Sequence, residues 1–302
     1  MELRQLQYFV TVARLEHVTK AAETLRVAQS AVSRQIHQLE SELGVQLFVP
    51  RGRNLQLTPA GKLFLTRAEA VLTDLDRAVL ELQEFLNPEA GEIRIGFPHS
   101  LGIHLLPSVI AEYRAKHPNV SFILRQGTYH VLIRDVLEGE VDLAFISPLP
   151  TERDDLEGDL LLTEELKVIL PENHVLAGYT TIRLEALKNE SFVMFSEHYS
   201  LRTIVMEACA KAGFTPRVGF EGDEMDTIRG LVAAGLGVSL LPEMGLIETS
   251  PMMPVSVRVS EPQVMRTIGL IRRKNEKLPL VAEAFRAHVM DYFTSPANKL
   301  SG

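Results

Sequence analysis

The chain has 302 residues, enough for two or three domains with buried cores. Its 46% hydrophobic and 23% charged residues are typical of globular proteins, and a single cysteine, Cys209, excludes internal disulfides and zinc sites built from cysteines. The formal net charge of −8 is unevenly spread, with +3 on residues 1–62 and −11 on the remainder. Only the amino-terminal segment therefore has the positive charge expected of a surface that binds a polyanion. Neither a secretion signal nor an apolar run of about 18 residues is found, which predicts a cytoplasmic protein without membrane contact.

The amino-terminal segment is predicted to contain three helices. Apolar spacing predicts the first over residues 3–14, and the Thr19 hydroxyl is expected to cap the second. The third runs over residues 29–43 and ends at Gly44, which can adopt the left-handed conformation. One face of this third helix is apolar, and the other carries hydroxyls, amides and a guanidinium in place of the usual Glu/Lys pairs: Gln29, Ser30, Ser33, Arg34 and His37.

These polar side chains can reach base edges and phosphates of DNA. The second and third helices therefore indicate a helix-turn-helix, with an ordinary solvated face as the alternative. Strand-like segments at 46–48 and 55–58 enclose a basic tip and predict a hairpin of the kind that forms a DNA-binding wing. Arg51 and Arg53 at this tip are expected to contact phosphates, and Thr58 is expected both at the DNA interface and as the cap of the next helix.

The first 62 residues resemble, without an insertion, the winged helix-turn-helix domain of LysR-type transcriptional regulators. The motifs that carry the resemblance are Ala21-Ala22, Gln29–Ser33, Leu39-Glu40, Leu43-Gly44, Leu47-Phe48, Arg53 and Leu57–Gly61. The resemblance implies sequence-specific binding to double-stranded promoter DNA that contains an inverted repeat, with RNA polymerase as a further partner. Family members often carry arginine where this chain has Pro50, and Arg51 is expected to take its place.

A long helix is predicted to follow the wing. Its apolar positions alternate steps of three and four, as in a coiled coil: Leu65, Ala68, Leu72, Leu75, Val79, Leu82 and Leu86. Such a stripe could pack within its own chain, but its position between two domains favours pairing with a second copy. We therefore expect a homodimer through this helix, and the resemblance implies a homotetramer formed by the effector-binding domains.

From residue 90 onward short apolar strands alternate with helices, which predicts an α/β fold with doubly wound sheets. The resemblance implies two subdomains similar to those of periplasmic binding proteins, the first over residues 90–161 and 268–302 and the second over 162–267. The chain is thus predicted to combine an all-α winged helix-turn-helix domain (1–58), a dimerising coiled-coil linker helix (59–89) and an effector-binding α/β domain (90–302).

A ligand site is expected where strands of the α/β domain end near helix amino termini. Three such places carry the hydroxyls of Ser100, Thr128 and Ser200, and Arg202 follows the last of them. Together these groups suit a carboxylate, although a single hydroxyl in such a place is more often a helix cap. The resemblance implies an effector cleft between the subdomains. The expected effector contacts are Pro98, His99, Ser100, Leu101, Thr128, Ser147, Pro148 and Arg202.

Further segments resemble LysR-type regulators of nitrogen assimilation, namely Met1–Leu6, His17-Val18, Val27–Ala31, Gly52–Asn54, Ile95–Pro98, Leu124–Gly127 and Gly213-Phe214. This resemblance implies an activator of glutamate synthase genes and a dicarboxylate effector such as 2-oxoglutarate or glutamate. An aromatic acid or a citrate-like molecule would suit the same hydroxyl groups nearly as well.

Catalytic, metal and cofactor sites are not predicted. Cys209 lies among apolar helical residues, where a buried inert thiol is usual. The nine histidines lack metal-binding spacing, Gly235-Leu236-Gly237 lacks the third glycine of a dinucleotide loop, and the acids of 221–224 fit a solvated turn better than a cation site. The alternative is a solute-binding or enzymatic α/β protein whose amino-terminal domain binds other proteins. Footprinting on promoter DNA would distinguish the two.

Overall fold

A computed structural model describes residues 1–51, 54–86, 90–103, 105–151, 153–246 and 253–295, with the backbone alone for residues 77, 80, 81 and 83–86. By its internal contacts the chain divides into two compact units, Met1–Leu86 and Asn87–Gly302. We call them the amino-terminal unit and the body. No helix in the described part of the chain is long and apolar enough to cross a membrane.

The amino-terminal unit contains helices and one hairpin: α1 (Leu3–Leu15), α2 (Val18–Leu25), α3 (Gln29–Leu43), β1 (Phe48–Arg51), β2 (Asn54–Leu57) and α4 (Pro59–Leu86). The two strands pair antiparallel, with Phe48 opposite Leu57 and Arg51 opposite Asn54. The predicted helix-turn-helix and hairpin are therefore present. The first strand begins two residues later than predicted.

The ends of α2 and α3 show one correct and one wrong prediction. Gly44 ends α3 with a φ of +68°, a left-handed conformation that suits glycine, as predicted. Thr19, in contrast, does not cap α2. That helix begins at Val18, with His17 as its N-cap residue in extended conformation. Val18 packs against the core of the unit, so the helix starts before Thr19 and places it in the first turn.

Aromatic packing fixes the helix-turn-helix against the hairpin and α4. Phe9 of α1 is fully buried, and its ring centroid lies 5.4 Å from that of Phe48 and 5.1 Å from that of Phe64. The apolar face of α3 joins the same core through Val32, Ile36 and Leu39. Because its apolar face is buried, α3 presents only its polar face to solvent.

The first half of the predicted coiled-coil stripe on α4 packs inside the amino-terminal unit. Ala68 is buried, and Leu65 and Leu72 lie partly buried against the same core. The expectation that the whole stripe faces a second copy is therefore wrong for this half, because α1 covers it. Further along α4, Leu75 and Val79 are exposed, so only the second half of the stripe is available to a partner.

The body alternates strands and helices in the order β3 (Gly91–Phe97), α5 (His99–Gly102), α6 (Leu106–Lys116), β4 (Val120–Gln126), α7 (Tyr129–Leu137), β5 (Leu143–Ile146), β6 (Leu156–Leu170), β7 (Thr181–Ile182), β8 (Ser191–Phe195), α8 (Ser200–Lys211), β9 (Arg217–Gly222), α9 (Met225–Ala233), β10 (Ser239–Pro242), β11 (Val255–Val259), β12 (Met265–Arg273) and α10 (Leu280–Thr294). Short 3-10 helices occupy Leu184–Leu187 and Glu243–Leu246.

Two long strands connect the two halves of the body. The sheet order is β4-β3-β5-β12-β6-β11-β7, with β10 also paired to β6. β6 and β12 run antiparallel from Leu156 opposite Arg273 to Glu165 opposite Met265, with a bulge at Ile268/Gly269. The amino-terminal part of β6 pairs with β12, and its last residues pair with β10 and β11. These two strands thus form the crossing connection between the two halves.

Each half of the body has its own apolar core. In the first half, alternate residues of β5 face two clusters: Leu143 and Phe145 pack with α6 and α10, while Ala144 and Ile146 pack with α7. In the second half, Phe192 of β8 and Cys209 of α8 lie in a third cluster. Because β5 is paired parallel with β3 and covered on both faces, all four of its residues are apolar and buried.

Candidate DNA-binding and effector sites

The polar face of α3 is the exposed surface of the helix-turn-helix. Gln29, Ser30, Ser33, Arg34 and His37 are all exposed. Among the described residues only His37 of this set lies within 4 Å of a carboxylate, with its Nδ1 3.7 Å from Oε2 of Glu40. The hydroxyls, amides and guanidinium are therefore available to base edges and phosphates.

Glu40 connects α3 to the wing, a role that the sequence did not reveal. Its Oε1 accepts the backbone N–H of Leu47 at 2.7 Å and that of Phe48 at 3.1 Å. Because charged acceptors form stronger hydrogen bonds than neutral ones, Glu40 holds the start of β1 against α3. The acid lies on the side of α3 that faces the hairpin.

The wing presents Arg51 at the exposed end of β1, and Arg53 lies outside the described residues. The hydroxyl of Thr58 donates to the carbonyl of Gln46 at 2.8 Å and accepts the N–H of Gly61 at 2.9 Å. It therefore caps α4, as predicted, and its proton is already engaged. At Gly61 a Cβ atom would lie 2.1 Å from the carbonyl oxygen of Leu47, so only glycine allows α4 to approach the hairpin this closely.

A cleft in the body brings together most of the predicted effector contacts. It encloses about 490 Å³, including the part that opens to solvent. The predicted residues that line it are Pro98, His99, Ser100, Thr128 and Ser147, and Ser200 lines it as well. Leu101 is fully buried in the core and, like Pro148, does not line the cleft.

The hydroxyl groups of the cleft are not helix caps. Neither Thr128, which precedes α7, nor Tyr199, which precedes α8, makes a side-chain cap hydrogen bond. Ser200 instead donates to the carbonyl of Ser147 at 2.7 Å and so joins the two halves of the body. The Ser147 hydroxyl is buried and has no hydrogen-bond partner among the described residues. A buried hydroxyl without a partner is costly, which marks Ser147 as a candidate ligand contact.

Three helices of at least nine residues begin at the cleft. Thr128 and Tyr129 are at the start of α7, Ser200 and Leu201 at the start of α8, and Met225 at the start of α9. Helix amino termini carry partial positive charge and favour anions. The carboxylate of Asp223 also lines the cleft, where it accepts the hydroxyl of Ser196. The cleft therefore offers the partial positive charge of helix amino termini, which favours an anionic group, and also contains one acidic side chain.

Arg202 is held away from the cleft. Its Nη1 donates to Oε1 of Glu221 at 2.6 Å and to the carbonyl of Phe195 at 2.8 Å, and it is not among the lining residues. The Cys209 thiol is fully buried, and this burial raises its pKa to about 12. At neutral pH it is a protonated, unreactive group. Among the described residues no cluster of His, Cys, Asp or Glu has the arrangement of a metal site.

Comparison with known proteins assigns a family to each of the two units. Residues 3–62 match the bacterial regulatory helix-turn-helix family of LysR proteins, and residues 86–294 match the LysR substrate-binding domain. The transcriptional dual regulator GltC of Bacillus subtilis is 46% identical over 97% of this chain and 98% of its own.

Two solved structures extend the comparison. Full-length CbnR in complex with its target DNA is 25% identical, with a TM-score of 0.75 over 96% of this chain and 99% of that one. The effector-binding domain of QuiR in complex with shikimate is 26% identical, with a TM-score of 0.63 over 68% of this chain and 98% of that one. Regulators of this kind bind promoter DNA and small effectors, form oligomers and are not enzymes. The chain belongs to the LysR family of DNA-binding transcription regulators.

Proposed function

We propose that this regulator activates glutamate synthase or related nitrogen-assimilation genes in response to a small dicarboxylate such as 2-oxoglutarate or glutamate. The observation that carries the proposal is the unpartnered, buried hydroxyl of Ser147 in a cleft where three helices begin. A carboxylate would accept this hydroxyl and lie in the favourable field of the helix termini. The similarity to GltC supports the target genes, and the complex of QuiR with shikimate, itself a carboxylic acid, supports the effector class.

The proposed division of labour follows the two units. Residues 1–58 bind an inverted repeat in promoter DNA, the exposed second half of the linker helix (59–89) forms the dimer, and residues 90–302 bind the effector, with subdomains over 90–161 plus 268–302 and over 162–267. A tetramer then forms through the effector-binding domains, and the DNA-bound assembly contacts RNA polymerase. The separate cores of the amino-terminal unit and the body support this division.

In the proposed DNA complex, α3 lies in the major groove and the wing contacts phosphates. The groove contacts come from Gln29, Ser30, Ser33, Arg34 and His37, whose side chains are exposed on one face. Arg51 and Arg53 contact the backbone, and Thr58 contributes by fixing the start of α4 beside the wing.

The effector proposal is tested by thermal unfolding of the full-length protein with 2-oxoglutarate, glutamate, citrate and shikimate. A ligand at 100 times its Kd stabilises the folded state by roughly 2.7 kcal/mol, which raises the unfolding temperature by roughly 5–10 °C. We expect this increase with a dicarboxylate, and we expect it to grow with concentration. If only citrate or shikimate raises the temperature, the dicarboxylate proposal is wrong.

Ser147→Ala is expected to weaken binding of 2-oxoglutarate by about 10–150-fold, since a hydrogen bond to a charged group contributes roughly 1.5–3 kcal/mol. The variant also removes a buried unpaired hydroxyl, so the stability of the ligand-free protein should be unchanged or higher. Titration calorimetry measures the affinity. Ser256→Ala is the matched control, because Ser256 is exposed on β11 and does not line the cleft. Equal affinities for the two variants would remove Ser147 from the site.

Asp223 is expected to distinguish the two candidate dicarboxylates. Its exposed carboxylate would attract the ammonium group of glutamate, whereas 2-oxoglutarate has a neutral ketone at the same carbon. An exposed ion pair contributes up to roughly 1 kcal/mol, so Asp223→Asn should shift the preference toward 2-oxoglutarate by up to about fivefold. The ratio of the two dissociation constants, measured at one ionic strength, gives the result. A ratio that does not change places the ammonium group elsewhere.

A further inference from the structure

A buried ion pair lies between the two strands that cross from one half of the body to the other. Arg266 on β12 has a side chain with no exposed surface, and the side chain of Glu164 on β6 is 8% exposed. Nε and Nη2 of Arg266 lie 2.8 Å and 2.7 Å from Oε2 of Glu164. Burial of a guanidinium is costly and lowers its pKa, and Glu164 opposes this effect. A single well-packed apolar pair would be cheaper, so the ion pair calls for an explanation beyond stability.

Both partners make one further hydrogen bond, each in a different direction. Nη1 of Arg266 donates to Oγ of Ser100 at 3.0 Å. Oε1 of Glu164 accepts the backbone N–H of Met244 at 2.5 Å. Ser100 lines the effector cleft, whereas Met244 lies just after β10 in the second half of the body. Through these two hydrogen bonds, the ion pair on the crossing strands connects Ser100 at the cleft to Met244 in the second half of the body.

The direction of the Arg266–Ser100 hydrogen bond fixes the polarity of the serine. A guanidinium can only donate, so Ser100 Oγ must act as the acceptor. The hydroxyl proton of Ser100 is then left for another acceptor, and the neighbouring positive charge makes it a stronger donor. An acceptor-rich group in the cleft, such as a carboxylate, is the matching partner.

We propose that Arg266, held in place by Glu164, is a positioning residue that orients Ser100 as a hydrogen-bond donor to the effector. This inference rests on the proposed function of the cleft and adds a residue outside its lining. Arg266 does not contact the effector in this arrangement. It acts through Ser100, and Glu164 keeps the guanidinium in the orientation that reaches Ser100.

The test is the double variant Glu164→Gln/Arg266→Met in the full-length protein. Removing both charges avoids an unpaired buried ion, so the unfolding temperature without ligand should stay near that of the wild type. We expect the affinity for 2-oxoglutarate to fall by about tenfold. Ser100→Ala should cause a similar loss in the wild type and no additional loss in the double variant, since the two changes remove the same interaction. Arg266→Lys keeps the charge but not the planar fork of the guanidinium, and it should also weaken binding. This variant replaces the double variant in the test if the double variant does not fold.

Asp159 and Arg286 provide a matched control. Nε and Nη2 of Arg286 on α10 lie 2.8 Å and 2.9 Å from the two carboxylate oxygens of Asp159, which lies on β6 like Glu164. Neither residue lines the cleft. Asp159→Asn/Arg286→Met should therefore leave the affinity for 2-oxoglutarate unchanged.

The outcomes separate this inference from the proposed function. Wild-type affinity in the Glu164/Arg266 double variant, or a further loss when Ser100→Ala is added, overturns the positioning role and leaves the effector assignment intact. If the wild-type protein binds neither 2-oxoglutarate nor glutamate, the proposed effector is wrong, and crystal structures without ligand decide the inference. The Ser100 side chain should then have one orientation in the wild type and several in the double variant. A single unchanged orientation in both overturns it.

Discussion

Leu75→Lys is expected to convert the regulator from dimers to monomers and to lower its affinity for an inverted repeat by about 10²–10⁴-fold. The second half of α4 exposes the remaining described residues of the apolar stripe, with Leu75 41%, Val79 50% and Leu82 60% exposed. Exposed apolar residues at this spacing on one long helix are typical of a dimer interface. A lysine in the middle of the interface would bury an unpaired charge. Two linked half-site contacts then become two independent ones, which removes the gain from bivalent binding.

Light scattering after size-exclusion chromatography measures the oligomeric state, and a fluorescence titration measures DNA affinity. Thr73→Lys is the control, since at 100° per residue Thr73 lies on the opposite face of α4 from Leu75. It introduces the same charge and should leave the dimer unchanged. If Leu75→Lys remains dimeric, the interface lies outside the stripe.

The helices of the amino-terminal unit could be predicted because their information is local. The face of α3 and its end at Gly44 follow from spacing and from one residue with a special backbone conformation. The prediction that Thr19 caps α2 was wrong, because the burial of Val18, a tertiary contact, decides where the helix begins. The division of the α4 stripe was missed for the same kind of reason. A heptad pattern is the same whether α1 or a second chain covers it.

In the body, local patterns predicted the strands of the parallel core but not the connection between the halves. Most of β6, together with β7 and β11, lacks a continuous apolar run, because these strands are partly exposed. The cleft could be located from loops after strands, which depends on the general geometry of α/β sheets. Which groups of the cleft donate and which accept hydrogen bonds could not be predicted. Arg266 and Ser100 are separated by 166 positions in the chain, and no short motif contains both.

Arg202 illustrates the limit of motif reasoning in the cleft. A guanidinium that follows a strand end suits a carboxylate ligand, yet Glu221 already neutralises this one. Glu221 lies on the next strand, β9, 19 positions further along the chain, so a short stretch of sequence around Arg202 does not include it. The hydroxyls of Ser100 and Ser200 are instead held by hydrogen bonds with Arg266 and with the carbonyl of Ser147, which only the folded chain brings together.

Arg34→Ala should lower the affinity for specific DNA by about 10–100-fold, the loss of roughly 1–3 kcal/mol that follows when a base contact is removed. Arg34 is exposed on the polar face of α3, between Ser30 and His37, and makes no side-chain hydrogen bond or ion pair among the described residues. Its guanidinium is therefore free to bind guanine in a bidentate manner. The buried residues Val32 and Ile36 are untouched by the substitution, so the fold of the unit should be preserved.

The measurement compares two DNA duplexes: one selected by the wild-type protein from a random pool, and a scrambled version of it. Affinity for the selected duplex should fall while that for the scrambled one changes little. Arg4→Ala removes the same charge from an exposed position on α1 and should affect both duplexes weakly. Equal losses on both duplexes, with a salt dependence reduced by about one phosphate contact, would instead assign Arg34 to the DNA backbone. Base reading would then fall to Gln29, Ser30 and Ser33, whose shorter side chains require α3 to lie deeper in the groove.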